Sequence, residues 1–325
     1  MSILLAICLT LTTIGADEPR PCVIVVVGAP GEPEYGAEFR RWAGLWQDAA
    51  AKAGAESIRI GLDPESAPDD RERLRATLAA KVSGPEVREP LWLVLIGHGS
   101  YDGREAKFNL RGPDVSDADL AAWLAPIGRP IVAIDCASAS GPFLIRLSGE
   151  NRVVITATKS GSETNYARFG QYLAESIADP KADLDKDGQV SLLEAFLTAG
   201  SRTAEFYKGK SRLATEHALL DDNGDKLGTQ ADWFRGIRAV KRARDGATPD
   251  GTRSHQMALV RSDRERAIPP EVRRKRDAIE LSIAALRDQK ATLTEDEYYR
   301  RLESMMVELA RLYRDLPADP SGHAH

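Results

Sequence analysis

A histidine and a cysteine each follow an apolar run that is typical of a buried strand. His98 comes just after Leu91–Ile96 and Cys136 just after Ile131–Ile134, so both should lie at the carboxyl ends of parallel strands. Sites in open α/β sheets form in the crevice at those ends, where neighbouring strands are about 4.8 Å apart. An imidazole base beside a thiol nucleophile indicates acyl-transfer chemistry, with the N–H groups of Gly99 and Cys136 as oxyanion-hole donors.

Structural roles for these two residues stay open at this point. A lone cysteine after an apolar run is usually a small buried hydrophobic residue, and a His-Gly pair is usually a turn. A disulfide between Cys22 and Cys136 is disfavoured, because Cys22 begins its strand whereas Cys136 follows the end of a parallel one. At about 3.3 Å per residue they are too far apart to be bridged.

The segment from Asp183 to Glu194 has the spacing of a twelve-residue EF-hand calcium loop. Gly188 stands at the sixth position, where the chain must turn sharply. We predict one Ca²⁺ ion with a structural role, and an acidic solvated turn is the alternative. The predicted ligands are Asp183, Asp185, Asp187, the backbone carbonyl of Gln189, Ser191 and Glu194.

A second acidic stretch, Asp221 to Asp225, resembles a damaged copy of this loop. Lys226 stands where the turn glycine is expected, so a turn built on Asx hydrogen bonds is the favoured interpretation. Its carboxylates could alternatively line a substrate cleft and select a basic residue.

Strand and helix patterns alternate along residues 20–265. Four Val- and Ile-rich runs predict buried strands, and Ser57–Leu62 predicts a weaker strand near an edge. Helical spacing of apolar residues separates the runs, and Ser116 with Asp119 forms a capping box at one helix start. The chain is therefore predicted to form one α/β domain, an open, mostly parallel sheet with helices on both faces. The runs are Cys22–Val27, Leu91–Ile96, Ile131–Ile134 and Val153–Ala157.

The last part of the chain has a different character. After about residue 204 we expect long loops, with Gln256–Val260 as a last strand. Residues 266–317 are predicted to form a helical hairpin from Glu271–Gln289 and Thr294–Leu316. The hairpin is expected to pack on itself or on the main domain, and a homodimer through these helices is the alternative. Residues 318–325 are expected to be a disordered tail.

The first residues predict export. The apolar run from Ile3 to Ile14 ends in Gly15-Ala16, which is typical of a signal peptide over residues 1–16. A buried first strand is the alternative, although Pro19 and Pro21 separate this run from the next one. We therefore expect a secreted or periplasmic protein with no stable membrane insertion after cleavage.

Composition excludes several classes of protein. The chain has 325 residues, of which 42% are hydrophobic and 29% charged, so it is neither wholly disordered nor fibrous. The net charge of −5 gives no reason to expect nucleic-acid binding. Three cysteines exclude a disulfide scaffold, and no Gly-x-Ser-x-Gly follows a strand, which excludes an α/β-hydrolase.

Two motifs resemble the caspase–legumain clan of cysteine peptidases, on its legumain-like, or haemoglobinase, side. They are LVLIGHG at Leu93–Gly99 and IVAIDCASASG at Ile131–Gly141. The resemblance implies a three-layer caspase–haemoglobinase-like fold, with His98 and Cys136 as a catalytic dyad and Gly99 at the oxyanion hole. No third catalytic residue is then needed.

A third segment, Ala157–Tyr166, resembles the one that helps to build the S1 pocket in that clan. On this basis Ser160, Ser162 and Glu163 are candidate substrate-binding residues.

The leading prediction is a secreted or periplasmic cysteine endopeptidase stabilised by calcium, which hydrolyses peptide or protein substrates through a thioester acyl-enzyme. The alternative is a catalytically inactive, caspase/legumain-like calcium-binding interaction module. Two departures keep it open: Ala137 replaces the glutamate that follows the nucleophile in legumains, and Asp135 precedes Cys136. The Asp135 carboxylate should point away from the site, because neighbouring strand residues alternate faces.

Overall fold

A computed structural model describes residues 20–63, 69–84, 86–244 and 247–314. The predicted signal peptide and the predicted tail lie outside these residues. Within the described ranges, no helix is both long enough and apolar enough to cross a membrane.

Strands and helices alternate through the first half of the chain. The elements there are β1 (Cys22–Val27), α1 (Pro33–Lys52), β2 (Glu56–Ile60), α2 (Asp70–Ala79), β3 (Leu91–Ile96), β4 (Gly99–Tyr101), β5 (Ala106–Phe108), β6 (Val115–Ser116), α3 (Asp117–Leu124), β7 (Ile131–Asp135), α4 (Gly141–Leu147) and β8 (Arg152–Thr156).

Helices dominate the second half, with short strands between them. The elements there are α5 (Phe169–Ser176), α6 (Leu192–Gly209), β9 (Leu219–Asp221), β10 (Thr229–Gln230), β11 (Phe234–Arg235), β12 (Arg238–Ala239), α7 (Thr252–His255), α8 (Asp263–Ala267), α9 (Pro270–Asp288) and α10 (Glu295–Arg314). Short 3₁₀ turns occupy Pro180–Ala182, Ala231–Trp233 and Lys290–Thr292.

The central sheet has seven strands in the order β10-β9-β8-β7-β3-β1-β2. The five strands from β8 to β2 are parallel, whereas β9 and β10 add an antiparallel edge. This arrangement confirms the predicted open, mostly parallel α/β sheet, and it places the weaker predicted strand, β2, at the other edge.

The sheet separates two hydrophobic layers, because successive strand residues point to opposite faces. Val23 and Val25 of β1 face a layer built with the buried α1 residues Phe39, Trp42 and Trp46. Helices α5 and α6 complete that layer, and the opposite layer packs against α2, α3 and α4. Helices therefore cover both faces, as predicted.

The predicted last strand at Gln256–Val260 is wrong. Helix α7 ends at His255, and residues 256–260 form a turn and bends in place of a strand. The carbonyl of Met257 accepts the Leu192 N–H at the start of α6, at 2.7 Å, and Leu259 is buried against the first layer. The apolar residues here pack singly under helices instead of pairing with a strand.

The two long C-terminal helices form close to their predicted bounds, as α9 and α10. Ile279, Ile283 and Leu286 of α9 are buried, as is Tyr298 of α10. Gln256 Nε2 donates to the carbonyl of Asp277 at 2.9 Å, which ties α9 to the segment after α7. The hairpin thus contacts the main domain through α9.

Candidate functional site

His98 lies just past the end of β3, in an aromatic pocket. Its ring centroid is 4.9 Å from that of Tyr35, 5.3 Å from Phe39 and 6.1 Å from Tyr166. Nε2 lies 3.2 Å from the carbonyl oxygen of Pro30. A carbonyl can only accept a hydrogen bond, so this contact places the proton of the neutral ring on Nε2 and leaves Nδ1 as the basic nitrogen.

The Cys136 thiol is buried on the same face of the sheet. The residue is 1% exposed and packs in the layer that holds Trp42. Gly170 of α5 lies directly over it, since a Cβ at Gly170 would be 2.5 Å from Cys136 Cβ and 3.0 Å from Sγ. Burial, with a smaller effect from the carboxylates of Asp135 and Glu216, raises the pKa of this thiol well above its usual range. The thiol is therefore neutral and covered.

The register of β3 and β7 sets the position of the thiol relative to His98. Leu95 pairs with Asp135, and the Cys136 N–H donates to the carbonyl of Leu95 at 2.9 Å. Cys136 is therefore level with Ile96, two residues short of His98, which corresponds to about 7 Å along the strand. Among the described residues no hydrogen bond joins the His98 ring to Cys136, and the catalytic dyad stays a prediction.

The predicted oxyanion-hole donors are both engaged within the protein. The Gly99 N–H donates to Ser138 Oγ at 3.2 Å, and that hydroxyl donates back to the Gly99 carbonyl at 3.1 Å. The Cys136 N–H belongs to the β3–β7 ladder. Both N–H groups therefore already have acceptors in the fold, and Ser138 lies next to the His98–Gly99 turn. A Cβ on Gly99 would be 2.3 Å from the Ser138 carbonyl, so this close approach requires glycine.

Asp135 faces the opposite layer, as the alternation of strand residues predicts. It lies among apolar side chains that include Leu120 and Leu147. Oδ1 accepts the Ala137 N–H at 3.0 Å, whereas Oδ2 has no partner among the described residues. Burial raises the pKa of this carboxyl to about 7.

The three candidate substrate-binding residues lie on the loop after β8, beside β4. Ser160 Oγ is 2.8 Å from Ser162 Oγ. The Glu163 carboxylate is engaged within the protein: Oε2 accepts the N–H groups of Lys159 and His217, and Oε1 is 2.5 Å from His217 Nδ1. Of the three, Ser162 is the exposed residue, whereas Ser160 and Glu163 are half-buried.

Sequence reasoning missed Glu216, a buried carboxylate that caps α5. Its oxygens accept the N–H groups of Arg168 and Phe169 at 2.8–2.9 Å and the Tyr207 hydroxyl at 2.9 Å. Burial raises its pKa. Because the cap comes from 47 residues away in sequence, no local pattern reveals it. Glu216 holds the start of the helix that covers Cys136.

The predicted calcium loop, which we call loop A (Asp183–Glu194), brings three of its predicted ligands close together. Carboxylate oxygens of Asp183, Asp185 and Asp187 lie within 4.8 Å of one another. Gly188 has φ of +91°, as the sharp turn at the sixth position requires. Three converging carboxylates suit a hard, oxygen-preferring divalent cation.

Two of the other three predicted ligands, Ser191 and Glu194, make contacts within the protein. Ser191 and Glu194 form the capping box that starts α6, and Glu194 Oε1 accepts the Leu184 N–H at 2.7 Å. The side chain of Gln189, which is not the predicted ligand group of that residue, accepts the Ser262 N–H through Oε1 at 3.3 Å. Glu194 would have to release the loop amides before it could bind a cation bidentately, so the donor set fits calcium through its first three carboxylates.

The second acidic stretch begins a segment that we call loop B (Asp221–Asp232). It is a turn built on Asx hydrogen bonds, as predicted. Asp221 accepts the N–H groups of Gly224 and Lys226, both at 2.9 Å. Asp221 and Asp222 are 1% and 4% exposed, so these two carboxylates do not line a substrate cleft. Asp222 instead accepts the N–H groups of Gly251 and Ser254.

Comparisons with known proteins give distant similarities. No protein-family model matches the sequence, and no curated protein is similar to it. The crystal structure of the Drosophila initiator caspase Dronc is 14% identical with a TM-score of 0.42, covering 64% of this chain and 81% of Dronc. Caspase-1 from Spodoptera frugiperda is 10% identical with a TM-score of 0.41, covering 63% of this chain and 87% of that protein. Similarity at this level carries no argument about activity, which has to come from the contacts of this chain's own residues.

Proposed function

We propose that this chain is an exported, calcium-binding protein of the caspase–legumain type, which binds polypeptide at the crevice around His98 without cleaving it. The buried Cys136 thiol is the observation that carries this proposal. A cysteine nucleophile reacts as the thiolate, and burial without a cationic partner disfavours the thiolate. The neutral Cys136 under Gly170 has neither the ionisation nor the access that peptide cleavage requires.

The surroundings of His98 support the same conclusion. Its protonated nitrogen is turned to Pro30, and the Gly99 N–H is held by Ser138. Beside this crevice, Ser100 and Tyr101 of β4 are exposed. Strand β4 is an edge strand of a separate three-stranded sheet. Extended polypeptide can add to such an edge through backbone hydrogen bonds.

Calcium would be held by Asp183, Asp185 and Asp187 in loop A. The ion supplies charge neutralisation and oxygen coordination at this loop when it is bound. The residues of the chain itself connect loop A to the rest of the fold: Ser191 and Glu194 start α6, and His255 Nε2 lies 2.9 Å from Asp185 Oδ2. Export by the predicted signal peptide would place the protein where calcium is abundant.

A cysteine endopeptidase that uses His98 and Cys136 is the second candidate. It is favoured by the position of His98 at the strand end and by the cover over Cys136, which is a single helix start. The cover is the start of α5, which is held by Glu216, and Glu216 follows an exposed segment at residues 208–214. Displacement of α5 would uncover the thiol on the face that holds the imidazole.

Thiol alkylation of the folded protein distinguishes the two candidates. With iodoacetamide and a pool of peptidyl electrophiles, we expect Cys136 to stay unmodified in native protein and to react after unfolding. Cys22 is a matched internal control, because it is also buried and its pKa is raised, mainly by burial, to about 11. Labelling of native Cys136 that is lost in His98→Ala would overturn the proposal and establish the peptidase.

The binding half of the proposal needs its own readout. A library of extended peptides is screened against wild type and Tyr101→Ala, with Tyr299→Ala as an exposed control far along the chain in α10. We expect binding that Tyr101→Ala weakens and Tyr299→Ala does not. No peptide binding to wild type, or equal loss in both variants, would contradict a polypeptide site at β4.

A further inference from the structure

A short hairpin of β11 and β12 carries a concentrated positive charge on an otherwise acidic chain. No acidic residue occurs between Asp232 and Asp245, although the net charge of the chain is −5. The residues on this stretch, which we call the basic hairpin, are mostly exposed. Its cations are Arg235, Arg238, Lys241, Arg242 and Arg244.

Two of these cations oppose each other directly. Arg235 pairs with Arg238 across the antiparallel ladder, with Gly236, at φ of +54°, in the turn between them. Like charges at directly opposite positions of a ladder destabilise it. Arg235, Arg238 and Lys241 make no hydrogen bond or ion pair with any residue in the described ranges. By contrast, Arg242 is paired with Asp288 at 3.3 Å.

The opposite side of the basic hairpin is fixed to the fold. Phe234 and Ile237 pack against the hydrophobic layer on the α6 face. The Val240 N–H donates to the carbonyl of Trp233 at 2.8 Å. Val240 itself is 53% exposed and lies between the cations Arg238 and Lys241 in the chain. The chain therefore holds unpaired positive charges outward around an exposed apolar residue.

We propose that the basic hairpin is a docking surface for an anionic phospholipid bilayer. Its five cations extend over ten residues of an exposed hairpin, from Arg235 to Arg244, so a broad anionic surface suits them better than a single small anion. Exposed Val240 beside them suits an interface that offers apolar depth below its charge. Nucleic acid offers anionic charge without such apolar depth.

Co-sedimentation of the full chain with vesicles tests this surface. We expect binding to phosphatidylcholine vesicles that contain phosphatidylglycerol, a decrease with added salt, and no binding to pure phosphatidylcholine. The triple variant Arg235→Gln/Arg238→Gln/Lys241→Gln should lower the partition coefficient about a hundredfold, since each cation near an anionic surface contributes about fivefold.

A matched control removes the same charge elsewhere. Lys208, Lys210 and Arg212 are exposed at the end of α6. Lys208→Gln/Lys210→Gln/Arg212→Gln should leave vesicle binding within about twofold of wild type, with unchanged circular dichroism in both triple variants. Equal loss in the two triples would overturn the proposal, because only net charge would then matter. So would binding to heparin or single-stranded DNA with none to anionic vesicles.

Discussion

Loops A and B follow the same backbone path, although they differ where calcium ligands matter most. In both, the first residue accepts the N–H groups of the fourth and sixth residues, the third accepts that of the fifth, and the fifth accepts that of the seventh. The pairs are Lys186–Asp183, Gly188–Asp183, Asp187–Asp185 and Gln189–Asp187 in loop A, and Gly224–Asp221, Lys226–Asp221, Asp225–Asn223 and Leu227–Asp225 in loop B.

The loops also place residues with positive φ at the same two positions. Lys186 and Gly188 of loop A have φ of +65° and +91°, whereas Gly224 and Lys226 of loop B have +81° and +66°. Glycine and lysine have exchanged places without changing the path. Lys226 therefore does not damage the backbone path of loop B, and the glycine of this path does not need to stand at the sixth position.

What separates the loops is how each one ends and what surrounds it. Loop A ends in Glu194, which starts α6, whereas Asp232 of loop B lies exposed in a 3₁₀ turn. The third residue of loop B is Asn223, whose amide donates to the carbonyl of Thr248 at 2.9 Å. Loop B is thus tied to neighbouring backbone, whereas loop A gathers carboxylates. We therefore expect calcium at loop A.

We expect calcium to produce the largest difference in the free energy of unfolding between variants of loop A and variants of loop B. At saturation about hundredfold above its dissociation constant, a ligand of the folded state raises the free energy of unfolding by about 2.7 kcal/mol. We expect that gain in wild type and its loss in Asp183→Asn/Asp187→Asn. Thermal unfolding with calcium and with chelator measures it.

The matched variant Asp221→Asn/Asp225→Asn should keep the calcium-dependent shift in melting temperature, whatever its own stability. A shift that loop B variants remove and loop A variants keep would reverse the assignment. Wild type that is insensitive to calcium would remove the metal from both loops.

Loop B should have the stronger pH dependence, because it rests on a buried pair of carboxyls. Burial, then the charge of Asp222, raises the pKa of Asp250 to about 9. In the unfolded chain an aspartate titrates near 3.9, so the protonated carboxyl is favoured by folding. This contribution is complete below about pH 4 and is lost as the pH rises through about 9.

Between pH 5 and pH 9 the free energy of unfolding should therefore fall less in Asp250→Asn than in wild type. The difference should reach about 2 kcal/mol at the alkaline end of this range. The amide can keep the contacts, since Oδ1 accepts the Asp222 N–H and Thr229 Oγ1 can accept as well as donate. Urea unfolding across this pH range measures the effect, and Asp183→Asn is the loop A control. Parallel pH profiles for wild type and Asp250→Asn would show that Asp250 titrates normally.

The exchange of glycine and lysine should have the smallest effect. Gly188→Lys should lower the free energy of unfolding by about 1 kcal/mol, because a side chain at positive φ is strained. A Cβ there meets no atom within 4 Å, so backbone strain is the sole expected cost. Lys226→Gly should gain about 0.5 kcal/mol or less, since relief of strain is offset by unfolded-state entropy. Urea unfolding of both variants checks this, and a loss in Lys226→Gly would show that the lysine side chain stabilises loop B.

The sheet could be predicted from sequence because its strands are continuous apolar runs buried on both faces. The same runs do not predict how the end of one strand is aligned with the end of its neighbour. Cys136 follows its run as His98 follows another, yet the β7 ladder continues through the Cys136 N–H, and the register leaves the thiol two residues short of His98. Pairing register depends on the neighbouring strand, which a local pattern does not contain.

Two other features were outside the reach of local patterns for the same reason. Glu216 caps α5 from a distant segment, and Met257 and Leu259 pack as single residues that look like a short strand. By contrast, the capping box at Ser116 is local, and the structure forms it at the start of α3 as predicted.

The two edges of the central sheet leave little for another sheet to join. One edge ends in β10, which has two residues. The other edge is β2, where Glu56 and Arg59 carry charge and Lys81 reaches across to Glu56 at 2.6 Å. Short strands and charged side chains are the means by which natural sheets avoid pairing with their own copies. Both edges of the main sheet therefore resist growth into ordered aggregates, whereas β4 and the basic hairpin lie in separate small sheets.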